Sequence, residues 1–172
     1  SYQVGRISIQ IAEAYLDLAE LHLSMIKPES ARAMNLQANA FVDQAAAFLL
    51  PANDPEGQIL ASITQLRLKM IKTRELDSVR TFQSIEDDFA TIEHDRITQN
   101  DEALVAKSLT LRAEWLIKLG DTAKGCEVLQ MAIKTFGADG KGMATRAERL
   151  YRVHCKSANP ETSIGPETYS PN

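Results

Sequence analysis

The segment AEWLIKLGDTAKGCEVLQMAIKTFG, residues 113–137, contains two amphipathic stretches joined at Gly120 and Asp121. Glycine commonly ends a helix because it adopts the left-handed backbone conformation without a side-chain clash, and aspartate is a favoured N-cap of the helix that follows. The segment therefore predicts two helices connected by a tight bend. Such a pair cannot bury its apolar faces alone, so we expect similar pairs to pack beside it.

A short motif in the first of these helices recurs earlier in the chain. Leu116-Ile117-Lys118 is matched by Met70-Ile71-Lys72 and by Met25-Ile26-Lys27, at steps of 46 and 45 residues. When the three triplets are aligned, other apolar residues coincide, and one such column contains Leu18, Ile63 and Leu109. The spacing predicts three helix hairpins that repeat along the chain.

Helical periodicity covers most of the remaining sequence. Pro28 and Pro51 end the first two helices, because proline lacks an N–H group and clashes with the preceding turn. Almost no segment alternates polar and apolar residues over the length of a strand, so no sheet is expected. Seven helices are predicted, at about residues 5–26, 28–50, 58–72, 77–94, 100–119, 121–137 and 141–157.

The composition is that of an ordinary folded domain. Of 172 residues, 44% are hydrophobic and 24% are charged, and the net charge is -4. A chain of this length can bury a substantial core. The longest apolar run, AAAFLLPA at residues 45–52, is too short to cross a bilayer and contains a proline, so no transmembrane segment is expected.

The two cysteines, Cys126 and Cys155, lie 29 residues apart without CxxC spacing. This pattern indicates neither a disulfide framework nor a zinc site, and a reducing environment is expected. We therefore expect an intracellular protein, in the cytoplasm or the nucleus.

The 34-residue window from Ala106 to Asp139 resembles a tetratricopeptide repeat. That family places a bulky residue early in the first helix, a small residue four positions later and a Gly-Asp bend before the second helix. The second helix then has small, bulky and small positions. These places are occupied here by Leu109, Ala113, Leu116, Gly120, Asp121, Gly125, Leu129 and Ala132.

The first two units match the family less closely. Arg112 stands at a usually apolar position of the third unit, and the small position is His22 in the first unit and Arg67 in the second. The resemblance implies an all-α fold of antiparallel helix hairpins, a TPR-like α-solenoid, over residues 1–157. A Pro-rich tail or linker follows at residues 158–172. An armadillo-like array and a compact helix bundle are the alternatives.

In the tetratricopeptide family, the first helix of each pair lines a concave groove that receives a peptide or a partner's helix. The resemblance implies partner-binding roles for Leu23, Ile26, Lys27, Leu68, Ile71, Lys72, Glu114, Ile117 and Lys118. We expect an apolar stripe beside a row of lysines, suited to a peptide with apolar anchors and carboxylates. Alternatively, the lysines only offset helix dipoles, which is worth about 0.3–1 kcal/mol each. The asparagines of the family's carboxylate clamp are missing, so a receptor for chaperone tails is not favoured.

A secondary basic surface is predicted on the last helix. Its members recur every three or four residues and comprise Arg146, Arg149, Arg152 and Lys156. This surface could contact an acidic protein or phosphate, or it could be a solvated helix face. Nucleic acid binding is not favoured, because no aromatic residues are interleaved with the basic ones.

The sequence contains no recognisable catalytic or metal-binding motif. His22, His94 and His154 are widely separated, and no phosphate-binding loop or nucleophile elbow is found. The acidic run at residues 86–88 fans around a helix and is expected to be hydrated. Trp115 is expected to pack between helices. We predict a chain that is not an enzyme and needs no cofactor or metal.

Three functions fit these expectations, and the first is favoured over the other two. The first is a scaffold or adaptor that binds a partner peptide or helix. The second is a peptide- or ligand-sensing regulatory domain of a larger protein. The third is a self-associating domain whose tail occupies the groove of another copy, with Ile164 and Tyr169 as anchors.

Overall fold

The computed structural model describes residues 1–73, 79–99, 101–137 and 145–155. Over these ranges the protein is all-α, as predicted, with seven helices and no strand. The helices are α1 (Tyr2–Ser24), α2 (Pro28–Leu49), α3 (Pro55–Lys72), α4 (Val79–Ile97), α5 (Glu102–Lys118), α6 (Thr122–Gly137) and α7 (Thr145–His154).

Several helix ends are fixed by the capping residues that the sequence indicates. The Asp101 carboxylate accepts hydrogen bonds from the backbone N–H groups of Ala103 and Leu104 at the start of α5. Gly120 has a φ of 91°, in the left-handed region, and ends the α5 segment. Asp121 then accepts a hydrogen bond from the backbone of Lys124 in α6. Asp77 and Ser78, residue types favoured as N-caps just before α4, lie outside the described residues.

The helices pack in an order that follows the chain. α1 packs along α2, and α5 packs along α6. α3 contacts α1 on one side and α5 on the other, and α5 in turn contacts α7. α1, α3, α5 and α7 therefore contact one another in succession, while α2, α4 and α6 each lie beside two of them. This order places four helices next to the cavity described below.

The core is divided among successive groups of helices. One apolar cluster joins α1, α2 and α3 through Leu16, Val42 and Leu68. A second joins α3, α4 and α5 and includes the fully buried Trp115, which confirms the packing role predicted for this residue. A third joins α5, α6 and α7 around Leu129. Each cluster shares a helix with the next, so apolar packing continues from one end of the array to the other.

The predicted small position at Gly125 has a direct packing reason. A Cβ atom added to Gly125 would lie 2.6 Å from the side chain of Ile117 and 3.0 Å from the carbonyl oxygen of Ala113. Because both neighbours belong to α5, any larger residue would push α6 away from α5. Glycine therefore permits the close approach of these two helices.

The triplet repeat is structurally equivalent only in the second and third units. Met70-Ile71-Lys72 lies inside α3 and Leu116-Ile117-Lys118 inside α5, whereas α1 ends at Ser24, before Met25-Ile26-Lys27. Ile26 has a φ of 58° and is 89% exposed, in the turn between α1 and α2. The first triplet therefore lies just past the end of its helix, whereas the other two lie in the last turn of theirs.

The expectation that the cysteines are unpaired is wrong. Cys126 of α6 and Cys155, just after α7, form a disulfide with a Cα–Cα distance of 5.8 Å. Sequence spacing gave no sign of this pair, because the helices bring the two residues together. Closing a loop of this length stabilises a fold by about 3–4 kcal/mol in the chain-entropy model. The disulfide fixes the end of α7 to α6.

Candidate binding cavity

A cavity of about 270 Å³ opens where α1, α3, α5, α6 and α7 meet. Its apolar wall consists of Ile63, Leu111, Phe136 and Ala147. Its polar wall consists of Glu13, Asp17, Arg67, Lys107, Thr110 and Arg146. An apolar wall facing a few convergent polar groups is the usual composition of a ligand-binding cavity, and this volume is near the lower end of the range for such cavities.

Arg67 of α3 is the most deeply placed charge in this cavity. Its side chain is only 7% exposed, and its Nη2 atom donates to Asp17 at 2.8 Å and to Glu20 at 2.7 Å. Both carboxylates belong to α1. This buried guanidinium, with its two carboxylate partners, holds α1 against α3. Removing a carboxylate would leave part of the buried positive charge uncompensated.

Arg146 of α7 closes the cavity from the opposite side. Its Nη2 atom donates to Glu20 of α1 at 2.8 Å and to Glu114 of α5 at 2.7 Å. Arg149, one turn further along α7, donates to Glu20 at 3.2 Å. Glu20 is therefore shared by α3 and α7, and these bonds join the first helix to the last.

A further ion pair links α1 to α5. Lys107 contacts the Glu13 carboxylate at 2.8 Å, and both side chains are about one quarter exposed. With this pair, the ion pairs at the cavity and next to it join four basic and four acidic side chains, so their charges balance: Arg67, Lys107, Arg146 and Arg149 against Glu13, Asp17, Glu20 and Glu114.

The electrostatics of the network favour its charged form. Burial by itself would raise the pKa of Glu20, but the charges and hydrogen bonds of Arg146 and Arg67 outweigh burial and lower the pKa to about 2. Burial likewise opposes the charge of Arg146, and Glu114 and Glu20 outweigh it, so the pKa of Arg146 is raised. At neutral pH Glu20 and Arg146 are therefore both ionised.

Two buried donors at this cavity have no hydrogen-bond partner. They are the Nε atoms of Arg67 and Arg146, both of which belong to side chains that line the cavity. An unpaired buried N–H group costs about 1–3 kcal/mol, and more where the group is charged. The Nε atom of Arg146 also lies 3.9 Å from a carboxylate oxygen of Asp17. The two guanidinium groups therefore keep hydrogen-bonding capacity that the ion pairs do not use.

The groove residues predicted from the resemblance do not share one surface. Leu68 is buried between α1, α2 and α3, with Ile71 packed against the same cluster. Ile117 packs against α6. Leu23 and Ile26 are exposed at the end of α1 and in the turn after it. Only one of the nine predicted residues, Glu114, belongs to the ion-pair network at the cavity.

The three lysines of the predicted row differ in their contacts. Lys27 is exposed at the N-cap position of α2. Lys72 donates to the side-chain oxygen of Asn39 on α2. Lys118 donates to the carbonyl oxygens of Met70 and Thr73 at 2.6 Å, and burial lowers its pKa. Lys118 thus satisfies carbonyl groups at the end of α3, which is a structural role.

Within the predicted basic surface, Arg146 is turned inwards, whereas Arg149 is exposed although it forms an ion pair. Arg146 and Arg149 contact acidic residues of α1, as described above, whereas Arg152 is exposed. Lys156 lies outside the described residues. The alternative prediction, a solvated helix face, is wrong for Arg146, because its side chain is only 18% exposed. Glu20, the acidic partner of Arg146 and Arg149, belongs to the same chain and lies about 130 positions earlier in the sequence.

The acidic run on α4 is used in interhelical contacts. Glu86 accepts hydrogen bonds from Arg112 and from the Trp115 indole, each at 2.8 Å, and Asp88 pairs with Lys69 of α3. Asp87 accepts from Gln83 on the same helix. The three carboxylates therefore fan around α4, as predicted, although two of them bind other helices and are not simply hydrated.

Two other kinds of feature are absent from the described ranges. They contain no cluster of three His, Cys, Asp or Glu residues placed to hold a metal ion. None of their helices combines the length and hydrophobicity needed to cross a membrane.

Comparisons with known proteins do not assign this chain to a family. No protein-family model matches the sequence, and neither curated proteins nor solved structures give a significant match.

Proposed function

We propose that this chain is a non-catalytic interaction domain that binds a segment of a partner protein. In this proposal α1, α3, α5 and α7 form the first-helix row of a TPR-like array, and the segment lies across the face that these helices share. The succession of helix contacts and the division of the core into linked clusters support this arrangement. Stacked helix pairs of this kind use extended faces for binding.

The observation that carries the proposal is the cavity, where an apolar wall faces charged side chains. In this proposal an apolar side chain of the partner packs on the wall formed by Ile63, Leu111 and Phe136, and a neighbouring carboxylate is attracted to the Lys107 ammonium group. Apolar burial supplies affinity and the buried charges supply orientation. The proposed partner segment is therefore a peptide in which an apolar anchor and an acidic group are close together.

Peptides selected for binding to the chain test this proposal directly. They are selected from a random displayed library against the full chain, and their affinities are measured by calorimetry. We expect sequences that combine an apolar and an acidic residue. Replacing Lys107 by Met should weaken them three- to tenfold, about 0.6–1.4 kcal/mol, because it removes a positive charge from the cavity wall.

The matched control is Lys69→Met. Lys69 also forms one interhelical ion pair, with Asp88, but it does not line this cavity. An equal loss of peptide affinity in Lys107→Met and Lys69→Met would contradict the proposed site. Selected peptides without acidic residues would also contradict it.

A second candidate, a ligand-sensing regulatory domain, is favoured by the bonds that close the cavity. A carboxylate entering it would compete with Glu20 for Arg146, which would loosen α7 from α1. The measurement is hydrogen exchange of α7 in the presence of a selected peptide. Faster exchange supports sensing, whereas unchanged or slower exchange supports a rigid scaffold.

The disulfide also bears on where the protein works. Structural disulfides persist under oxidising conditions and are rare in the cytosol and the nucleus. Free thiols were the basis for expecting an intracellular protein, and the Cys126–Cys155 bond removes it. We propose an oxidising compartment. Mass spectrometry of alkylated protein from its native source would test this, since free thiols there would restore the intracellular assignment.

A further inference from the structure

α1 has three distinct faces, and two of them are occupied. Its buried face consists of Gly5, Ile9, Ala12, Leu16 and Ala19, which pack on neighbouring helices. Its charged face consists of Arg6, Glu13, Asp17 and Glu20, which form ion pairs with residues outside α1. The first face holds α1 in the fold, and the second borders the cavity.

The third face is an apolar stripe that runs the length of the helix. Its residues follow one another at steps of three and four, and they are Val4, Ile7, Ile11, Ala14, Leu18, Leu21 and Met25. Ile7 is 54% exposed and Leu21 is 53% exposed, and among the seven only Ile11 is half-buried. At a rise of about 1.5 Å per residue, the stripe is about 30 Å long.

This spacing is that of the contact positions of a coiled coil. Residues at alternating steps of three and four form a seam along one side of a helix, which buries itself against a second helix. α3 and α5 have helices on both sides, whereas α1 is the first of the row. The stripe lies on the side of α1 that no described helix covers, since six of its seven side chains are exposed.

The charges beside the stripe indicate which helix fits there. The flanking positions are neutral, except for one acid: Gln3, Ser8, Gln10, Tyr15, Asp17, His22 and Ser24. Asp17 is itself occupied by Arg67. A partner helix recognised by charge would need oppositely charged residues beside the stripe of α1, and these positions are almost all neutral. A second copy of the same helix meets no like-charge repulsion across such a seam.

The pattern of side-chain sizes also suits a second copy. Ala14 lies at the middle of the stripe, seven residues from Ile7 and seven from Leu21. A two-fold axis near Ala14 would bring small residues together at the centre and larger apolar residues together on both sides. Two-fold contacts of this kind use the same patch on both subunits and are the commonest form of self-association.

We propose that two copies of this chain associate through the apolar stripe of α1. The association buries exposed apolar side chains, and of the residues beside the stripe only Asp17 also lines the cavity. This inference does not depend on the proposed peptide binding. The proposed partner of the stripe is a second copy of this chain, and not a different protein or another segment of the same chain.

The test measures the mass of the full chain in solution by sedimentation equilibrium up to about 1 mM, the weak end of specific association. We expect a monomer–dimer equilibrium. The variant Ile7→Glu/Leu21→Glu should be monomeric over the whole range, because its acids face each other in either orientation of the two helices. Far-UV circular dichroism should show unchanged helicity, since both residues are exposed.

A charge-reversed variant separates pairing from general effects of charge. Ile7→Lys/Leu21→Lys should also be monomeric alone, but an equal mixture of the Glu and Lys variants should form a mixed dimer. The matched control is Leu36→Glu/Leu50→Glu, at two exposed leucines outside the stripe, which should dimerise like the wild type. A monomeric wild type, dimerisation of the Ile7→Glu/Leu21→Glu variant, or a mixture that stays monomeric would overturn the proposal.

Discussion

The two ends of the helical array are completed in different ways. At the C-terminal end, α7 is held covalently to α6 by the Cys126–Cys155 disulfide and electrostatically to α1 by Arg146 and Arg149. At the N-terminal end, α1 presents an exposed apolar stripe. Terminal helices of stacked repeats need a polar outer face or a cover. The difference teaches that α7 is held by bonds to other described helices, whereas α1 has an apolar face that none of them covers.

The largest effect is expected from opening the disulfide. Cys126→Ser/Cys155→Ser should lower the free energy of unfolding by about 3–4 kcal/mol, because the unfolded chain gains the entropy of an open loop. Urea denaturation measures the loss, and hydrogen exchange should show that α7 loses the most protection. A reducing agent should have this effect on the wild type and none on the double variant. Unchanged protection of α7 would show that the disulfide does not hold this end.

A somewhat smaller effect is expected at Glu20, which connects the two ends. Its pKa is lowered from 4.5 to about 2, so its stabilisation is complete above about pH 4.5 and is lost as the pH falls towards 2. Glu20→Gln should cost about 2–3 kcal/mol at pH 7 and should flatten the fall in stability between pH 4.5 and pH 2. Denaturation at several pH values measures both. An identical pH profile in the variant would place the acid sensitivity elsewhere.

The start of α1 is fixed to α3 by a weaker device. Asp54 caps α3 by accepting from Gly57 N–H and also binds the Arg6 guanidinium, whose hydrogen bond is the main cause of the lowered pKa of Asp54. Asp54→Ala should cost about 1–2 kcal/mol. Asp121→Ala is the matched control, because that exposed cap has no arginine partner in the described contacts, and about 0.5–1 kcal/mol is expected. Denaturation in urea compares the two variants, and equal losses would mean that Arg6 contributes nothing to stability.

The smallest effect is expected on the exposed stripe itself. Under dilute, monomeric conditions Ile7→Ala should change the free energy of unfolding by less than about 0.5 kcal/mol. Ile9→Ala, two residues away on the buried face, should cost about 2–5 kcal/mol, because it leaves a cavity in the core. Thermal denaturation of the two variants compares them directly. A large loss from Ile7→Ala would show that the stripe is packed within the chain.

Local features of the sequence predicted the helices well. Pro28 lies at the start of α2 and Gly120 at the end of the α5 segment, and Asp101 and Asp121 cap the helices that follow them. The apolar stripe of Ile59, Ile63, Leu66 and Met70 is buried as predicted. These features depend on residues within a few positions of one another, so the sequence contains all the information they need.

The cavity could not be predicted, because its residues meet only after the helices have packed. Arg146 and Glu20 are 126 positions apart, and each is an ordinary charged residue on an amphipathic helix. The prediction of groove residues from the resemblance required the first triplet to be equivalent to the other two, but α1 ends before that triplet. The apolar stripe of α1, by contrast, was visible in the spacing from Val4 to Met25 and was missed beside the stronger pattern of the buried face.

A double-mutant cycle between Glu20 and Arg146 tests most directly the claim that the first and last helices meet over the cavity. Unfolding free energies are measured for the wild type, Glu20→Gln, Arg146→Met and the double variant. A second cycle, which combines Glu20→Gln with Arg152→Met, is the control, because Arg152 is exposed. We predict a coupling of at least about 1 kcal/mol for Arg146 and additivity within about 0.3–0.5 kcal/mol for Arg152. Additive effects in both cycles would contradict the account, because α1 and α7 would then not share this contact.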